Sequence, residues 1–91
     1  MANLFYNVTN NSFGEIILTI RYFDDILPKT IQYIYTRNFL LNLYKSQDNE
    51  NFMQYQFKYI VDNIVYPECK SLFLFKCQEI KEKILKLLGI E

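Results

Sequence analysis

Residues that commonly carry out catalysis or bind metal ions are scarce in this sequence of 91 residues. It contains no histidine, which removes the commonest general base, the Ser/His and Cys/His nucleophile pairs and most zinc sites. Gly14 and Gly89 are the only glycines, so the chain has no glycine-rich loop to bind phosphate. The sequence therefore predicts a non-enzymatic protein with no catalytic residues, no cofactor and no metal ion.

Asp24 and Asp25 form the only pair of adjacent carboxylates. Neighbouring side chains point apart unless a turn redirects them, so the pair does not indicate an acid–base couple or a metal site. Aspartate is a preferred N-cap residue, and proline is tolerated in the first turn of a helix. With Pro28 three residues further on, the pattern predicts that a helix begins here.

Cys69 and Cys77 lie eight residues apart. In one straight helix their Cα atoms would be about 12 Å apart, whereas a disulfide needs a separation below about 7 Å. The sequence therefore predicts two reduced, buried thiols. No signal-peptide pattern and no membrane-length apolar run is present, so the expected location is the cytoplasm, with no membrane partner.

The elements that would position these residues are predicted to form one α+β domain over residues 1–91, mostly helical. Residues 4–9 and 15–23 alternate in the manner of strands, and the segment between them is rich in turn-forming Asn, Ser and Gly. A β-hairpin over residues 1–23 is expected. An isolated hairpin is marginal in water, so it is expected to pack on the helices or to gain a third strand, possibly from another subunit, at its exposed outer edge.

Three helices are predicted to follow, over residues 24–45, 49–66 and 67–89. The last begins at Pro67 and stops at Gly89, and its apolar residues recur at spacings of three and four. Asp48 or Asn49 is expected to cap the middle helix. Residues 30–36 have a rival interpretation as a third strand, because β-branched and aromatic residues dominate there. The helix is the preferred interpretation of that segment.

Aromatic residues are more numerous than a core of this size usually hides, with eight Phe and eight Tyr. Two of the predicted helices carry a second apolar stripe beside the one that a single core can cover. Aromatic side chains left at the surface are typical of the centres of protein interfaces. The predicted partner-binding residues are Tyr33, Tyr44, Phe52, Tyr55, Tyr59 and Tyr66.

Composition also indicates the setting of the gene. Phe, Tyr, Ile, Asn and Lys supply 44 of the 91 residues, whereas Gly, Ala, Arg and Pro supply seven; this is the bias of AT-rich codons. The preferred hypothesis is a phage- or virus-encoded inhibitor of a host defence or replication factor, similar in role to anti-CRISPR proteins. It would act by occlusion or oligomerisation, with a host protein or a second copy in a homodimer as its partner.

Two alternatives remain open. RNA or single-stranded nucleic acid could bind if exposed Tyr rings stacked on bases beside lysines. Those lysines are Lys58, Lys70, Lys76, Lys81, Lys83 and Lys86. Ten basic and ten acidic residues balance to a net charge of zero, and Lys alternates with Glu in the last helix, so a solvated face is the preferred interpretation. The second alternative is a structural or scaffold protein of a virion.

Overall fold

A three-stranded antiparallel sheet is followed by three helices in the computed structural model, which describes residues 2–23 and 27–90. The strands are β1 (Asn3–Asn10), β2 (Ile16–Phe23) and β3 (Pro28–Tyr35). The helices are α1 (Arg37–Ser46), α2 (Gln54–Asp62) and α3 (Pro67–Leu87). The order β1-β2-β3 places β2 at the centre of the sheet and leaves β1 and β3 at its edges.

The turn between β1 and β2 is built by Asn11 and Gly14. The Asn11 side-chain oxygen accepts hydrogen bonds from the backbone N–H groups of Phe13 and Glu15, both at 3.0 Å. Gly14 has a φ of 79°, a left-handed conformation that costs glycine little because it has no Cβ. These residues set the register in which Asn10 lies opposite Ile16.

The predicted fold of a hairpin followed by three helices is wrong, because residues 28–35 form a third strand and not part of a helix over 24–45. Every second residue of this strand, Ile31, Tyr33 and Tyr35, is half-buried on the side of the helices. The strand also provides hydrogen-bond partners for the second edge of β2, whose buried backbone groups need them. The rival interpretation of residues 30–36 describes this segment better. The fold is still α+β, but helix and strand occupy 47% and 28% of it, so helices dominate only slightly.

The first helix accordingly starts later, at Arg37, where Thr36 acts as its cap. The Thr36 hydroxyl oxygen accepts a hydrogen bond from the Phe39 N–H at 3.1 Å, which satisfies one of the free donors of the first turn. Pro28 is the first residue of β3, not of a helix. The predicted helix cap at Asp24 and Asp25 lies outside the described residues.

The middle helix is shorter than the predicted 49–66, because a turn occupies the residues before Gln54. Asp48 accepts a hydrogen bond from the Asn51 N–H at 2.8 Å, so its carboxylate closes this turn instead of capping α2. Met53 follows with a φ of 70° and a fully buried side chain. The left-handed residue redirects the chain into α2, which has no side-chain cap.

The third helix runs from Pro67 to Leu87, close to the predicted 67–89, and covers the sheet. Its buried residues recur at the helical period; they are Cys69, Phe73, Ile80, Ile84 and Leu85. They meet Ile16, Leu18, Ile20 and Tyr22 of β2, none more than 1% exposed. The core therefore lies between the helices and one face of the sheet.

The other face of the sheet has no helix against it among the described elements. Phe5 and Ile34 are more than half exposed there, and the rings of Phe5 and Phe23 stack with centroids 6.5 Å apart. The Gln32 side chain donates a hydrogen bond to the Thr19 hydroxyl at 3.1 Å. The fold is thus two layers, a sheet and a helical layer.

Candidate protein-binding site

Two tyrosines lie on the outward face of α2. Phe57 and Ile60 are buried on the inward face of this helix, and a spacing of four residues places Tyr55 and Tyr59 together on the opposite side. Tyr55 is 75% exposed and Tyr59 is 62% exposed. The core is complete without Tyr55 and Tyr59, so packing of the core does not explain why these two positions are aromatic.

Tyr33 of β3 joins this pair from the neighbouring edge of the sheet. Its ring meets that of Tyr59 edge-on, with centroids 6.2 Å apart and planes at 83°, an arrangement that aromatic pairs prefer. Burial, followed by the nearby phenols of Tyr59 and Tyr22, raises the pKa of Tyr33. We call Tyr33, Tyr55 and Tyr59 the tyrosine face.

Polar groups border the tyrosine face. Lys58 and Asp62, one turn apart on α2, form an exposed ion pair at 3.4 Å. Gln54, Tyr55 and Lys58 line a shallow groove of about 260 Å³. An aromatic centre with a charged, solvated border is the anatomy of a protein interface.

The other three predicted partner-binding residues pack against the core. Phe52 is 1% exposed, and the half-buried Tyr44 meets its ring edge-on at 5.4 Å. The half-buried Tyr66 contacts Tyr22 in the same manner at 6.0 Å. The turn before α2 directs Phe52 inward, away from the stripe that a continuous helix would have formed. The structure therefore brings together only half of the predicted set.

The six lysines of the nucleic-acid alternative are distributed over different surfaces. Lys58 pairs with Asp62 on α2, and Lys76 lies 3.6 Å from Glu79 on α3. Lys81 donates a hydrogen bond to the Asn49 carbonyl at 2.9 Å. The remaining three are at other positions around α3: Lys70, Lys83 and Lys86. The structure does not gather these side chains into one basic patch beside the tyrosines.

Exposed apolar residues that the sequence interpretation left out also occur on α3. Phe75 is 86% exposed and Leu72 is partly exposed. Helical spacing could have identified Phe75, because it falls opposite the buried stripe that contains Phe73 and Ile80. On α1, Phe39 is partly exposed and its ring stacks on that of Tyr35 at 6.1 Å.

The described residues contain no group of three or more Cys, Asp and Glu side chains that could hold a metal ion. Neither Cys69 nor Cys77 forms a disulfide; Cys69 is buried and Cys77 is half-buried. Burial raises the pKa of Cys77 to about 11, so its thiol stays protonated at neutral pH. A protonated thiol is a poor nucleophile, and Cys77 therefore lacks the activation expected of a catalytic cysteine.

None of the helices in the described ranges is both long enough and apolar enough to cross a membrane. No protein-family model, curated protein or solved structure matches this chain.

Proposed function

We propose that this chain is a non-enzymatic protein-binding module that docks a partner through the tyrosine face and acts by occluding it. The observation that carries this proposal is the exposure of Tyr55 and Tyr59 side by side on a helix whose inward face already closes the core. Tyrosine supplies a large, rigid and amphipathic contact at a small cost in side-chain entropy.

Charge supports a protein partner over a nucleic acid. The chain has no net charge, and Lys58, which lies beside Tyr55, is paired with Asp62. Binding to a phosphate backbone depends on clustered cations that release counterions. An aromatic surface with a balanced border suits an apolar patch on a protein instead.

The setting we propose is the cytoplasm of a host cell, with the chain acting as a phage or viral inhibitor of a host defence or replication factor. The AT-rich amino-acid bias supports the origin, since Phe, Tyr, Ile, Asn and Lys make up 44 of the 91 residues. Occlusion is the proposed mode of action, because the tyrosine face could block a partner's surface without any catalytic group.

The test is site-specific photo-crosslinking in a host lysate. A photoreactive phenylalanine analogue replaces Tyr55 in one variant and Phe13, which is also exposed but lies in the β1–β2 turn, in a matched control. We expect the variant at Tyr55 to crosslink to one discrete host polypeptide and the control to crosslink to none. The adduct should persist at high salt, because apolar contacts are not screened.

A second measurement tests the same surface without the probe. The double variant Tyr55→Ala/Tyr59→Ala should bind the crosslinked polypeptide at least about tenfold more weakly, as expected when two hot-spot rings are removed. Its circular dichroism spectrum should be unchanged. Equal affinity would contradict the proposal, and so would loss of the folded spectrum, which would show that the two rings support the core.

A further inference from the structure

The outer edge of β1 carries unpaired backbone groups. In residues 2–23 and 27–90, β2 is the only strand paired with β1. At the turn, the Asn11 N–H donates to the Glu15 carbonyl at 3.1 Å, so these two residues form a hydrogen-bonded pair. Hydrogen-bonded and non-hydrogen-bonded pairs alternate along an antiparallel ladder, so the odd-numbered residues of β1 bond to β2. By this register the even-numbered residues of β1 direct their N–H and C=O groups to the free edge. They are Leu4, Tyr6, Val8 and Asn10.

The two edges of the sheet differ in how they discourage pairing. β3 begins with Pro28, which lacks an N–H, and Lys29, and both residue types are typical guards of an edge strand. β1, with the sequence NLFYNVTN, contains no proline and no charge in its eight residues. A long, uncharged edge is a template for another strand.

The side chains of β1 that face the helices are also incompletely covered. Leu4, Tyr6 and Val8 are half-buried, whereas Leu18 and Ile20 on the same face of β2 are fully buried. One more strand beside β1 would cover these three side chains in the way that β1 covers β2.

Helix α3 lies above this edge. The Cys69 sulfur is 3.8 Å from the Asn3 carbonyl oxygen, and the Lys83 ammonium is 4.7 Å from the centre of the Tyr6 ring. A strand that paired with β1 would therefore bring its own helix against the flank of α3.

The flank of α3 beside β1 is apolar at one end and charge-balanced along its length. Leu72 and Phe75 line an open groove of about 450 Å³ that reaches the start of β1. Acidic and basic residues alternate along the same side of the helix. They are Glu68, Lys76, Glu79 and Lys83. A second copy whose β1 met this one at Tyr6 would bring its Lys83 close to this Lys83, and Glu79, whose charge acts on Lys83, would offset the repulsion.

We propose that β1 pairs antiparallel with β1 of a second copy, which joins two sheets into one of six strands with both α3 helices side by side on the same face. A two-fold axis perpendicular to the sheet near Tyr6 would place Leu4 opposite the partner's Val8, so that helix-facing side chains meet helix-facing side chains. The same surface serves both copies, and the assembly therefore closes as a dimer.

This dimer would leave the tyrosine face open, because Tyr33 lies on β3 at the opposite edge of the sheet. Each dimer would thus present two partner-binding surfaces. Two linked sites bind a multivalent partner more tightly than either does alone. Self-association through β1 does not depend on the proposed partner binding.

The experiment is sedimentation equilibrium on the purified chain from micromolar to millimolar concentration. We expect the mass to rise to about 22 kDa, twice the 11.0 kDa of one chain. Val8→Pro removes an N–H that points to the free edge and leaves the bonds to β2 intact. It should weaken dimerisation at least tenfold, a change of about 1.4 kcal/mol.

Phe75→Glu tests the helix flank independently and should also weaken dimerisation at least tenfold. Because this ring is 86% exposed, the variant is expected to fold even if Val8→Pro does not. Leu74→Glu is the matched control: Leu74 is 59% exposed on the same helix but points about 100° away from Phe75, so its dimerisation should be unchanged.

Three outcomes would overturn the dimer. They are a mass of one chain at every concentration, a mass that keeps rising beyond two chains, and a dimer that both Val8→Pro and Phe75→Glu leave intact. These outcomes concern the pure chain alone, so they are independent of whether the tyrosine face binds a host protein.

Discussion

The guanidinium of Arg37, the first residue of α1, donates hydrogen bonds to the carbonyl oxygens of Leu87 at 3.1 Å and Leu88 at 2.7 Å. The last carbonyls of a helix have no partner within the helix, and a cation there also complements the helix dipole. One side chain thereby joins the start of the first helix to the end of the third.

Arg37→Ala should lower the free energy of unfolding by about 1–3 kcal/mol, because two charge-assisted hydrogen bonds are lost. Urea denaturation followed by circular dichroism measures this change. Arg21→Ala is the control: Arg21 is exposed on the outer face of the sheet, and its removal should change stability by less than about 0.5 kcal/mol. Equal effects of the two substitutions would show that the Arg37 contacts contribute nothing specific.

Gly14→Ala should destabilise the chain by about 1–2 kcal/mol through backbone strain alone. Nothing lies within 4 Å of the position that a Cβ would occupy at Gly14, so a steric clash cannot account for the loss. Gly14→Asn should be less destabilising, because asparagine tolerates left-handed backbone. Thermal unfolding of the three proteins gives the comparison, and an alanine variant as stable as glycine would contradict it.

Alkaline pH should weaken the fold. Burial raises the pKa of Cys77 from 9.0 to about 11, and burial followed by the neighbouring Tyr33 raises the pKa of Tyr35 from 10.0 to about 12. The folded chain therefore holds both protons more tightly than the unfolded chain. This contribution to stability is complete below pH 9 and is lost as the pH rises through these folded values.

The measurement is the thermal midpoint between pH 8 and pH 11, compared with that of Cys77→Ala/Tyr35→Phe. We expect the midpoint of the native sequence to fall with pH, and that of the double variant to fall less, since it lacks both titrating groups. Parallel curves would show that neither group contributes to the pH dependence.

Short-range signals account for the parts of the fold that resemble the sequence prediction. The turn at Asn11 and Gly14 and the helix that starts at Pro67 each depend on residues close together in the chain. β3 depends instead on a distant partner, because Ile31 lies opposite Ile20 only once β2 has formed. Its apolar residues also fit a helical stripe, so periodicity alone could not separate strand from helix.

The same limit applies to the candidate site. Tyr55 and Tyr59 follow from helical spacing, and the structure places both on the outer face of α2. The position of Phe52 could not be predicted in this way, because Asp48 closes a local turn and Met53 takes a left-handed conformation. Tyr33 contributes from β3, so its contact with Tyr59 could be identified only after the sheet was known.

The central strand β2 is synthesised well before α3, the helix that packs against it. Ribosomes make the central strand early, and the helix α3, which covers part of its apolar face, ends about 65 residues later. At about 5–20 residues per second this takes roughly 3–13 s. During that interval Ile16, Leu18 and Ile20 lack the part of their cover that α3 provides. Part of the apolar face of β2 therefore stays exposed in the nascent chain until translation delivers the final helix, and we expect chaperones to bind the chain during that time.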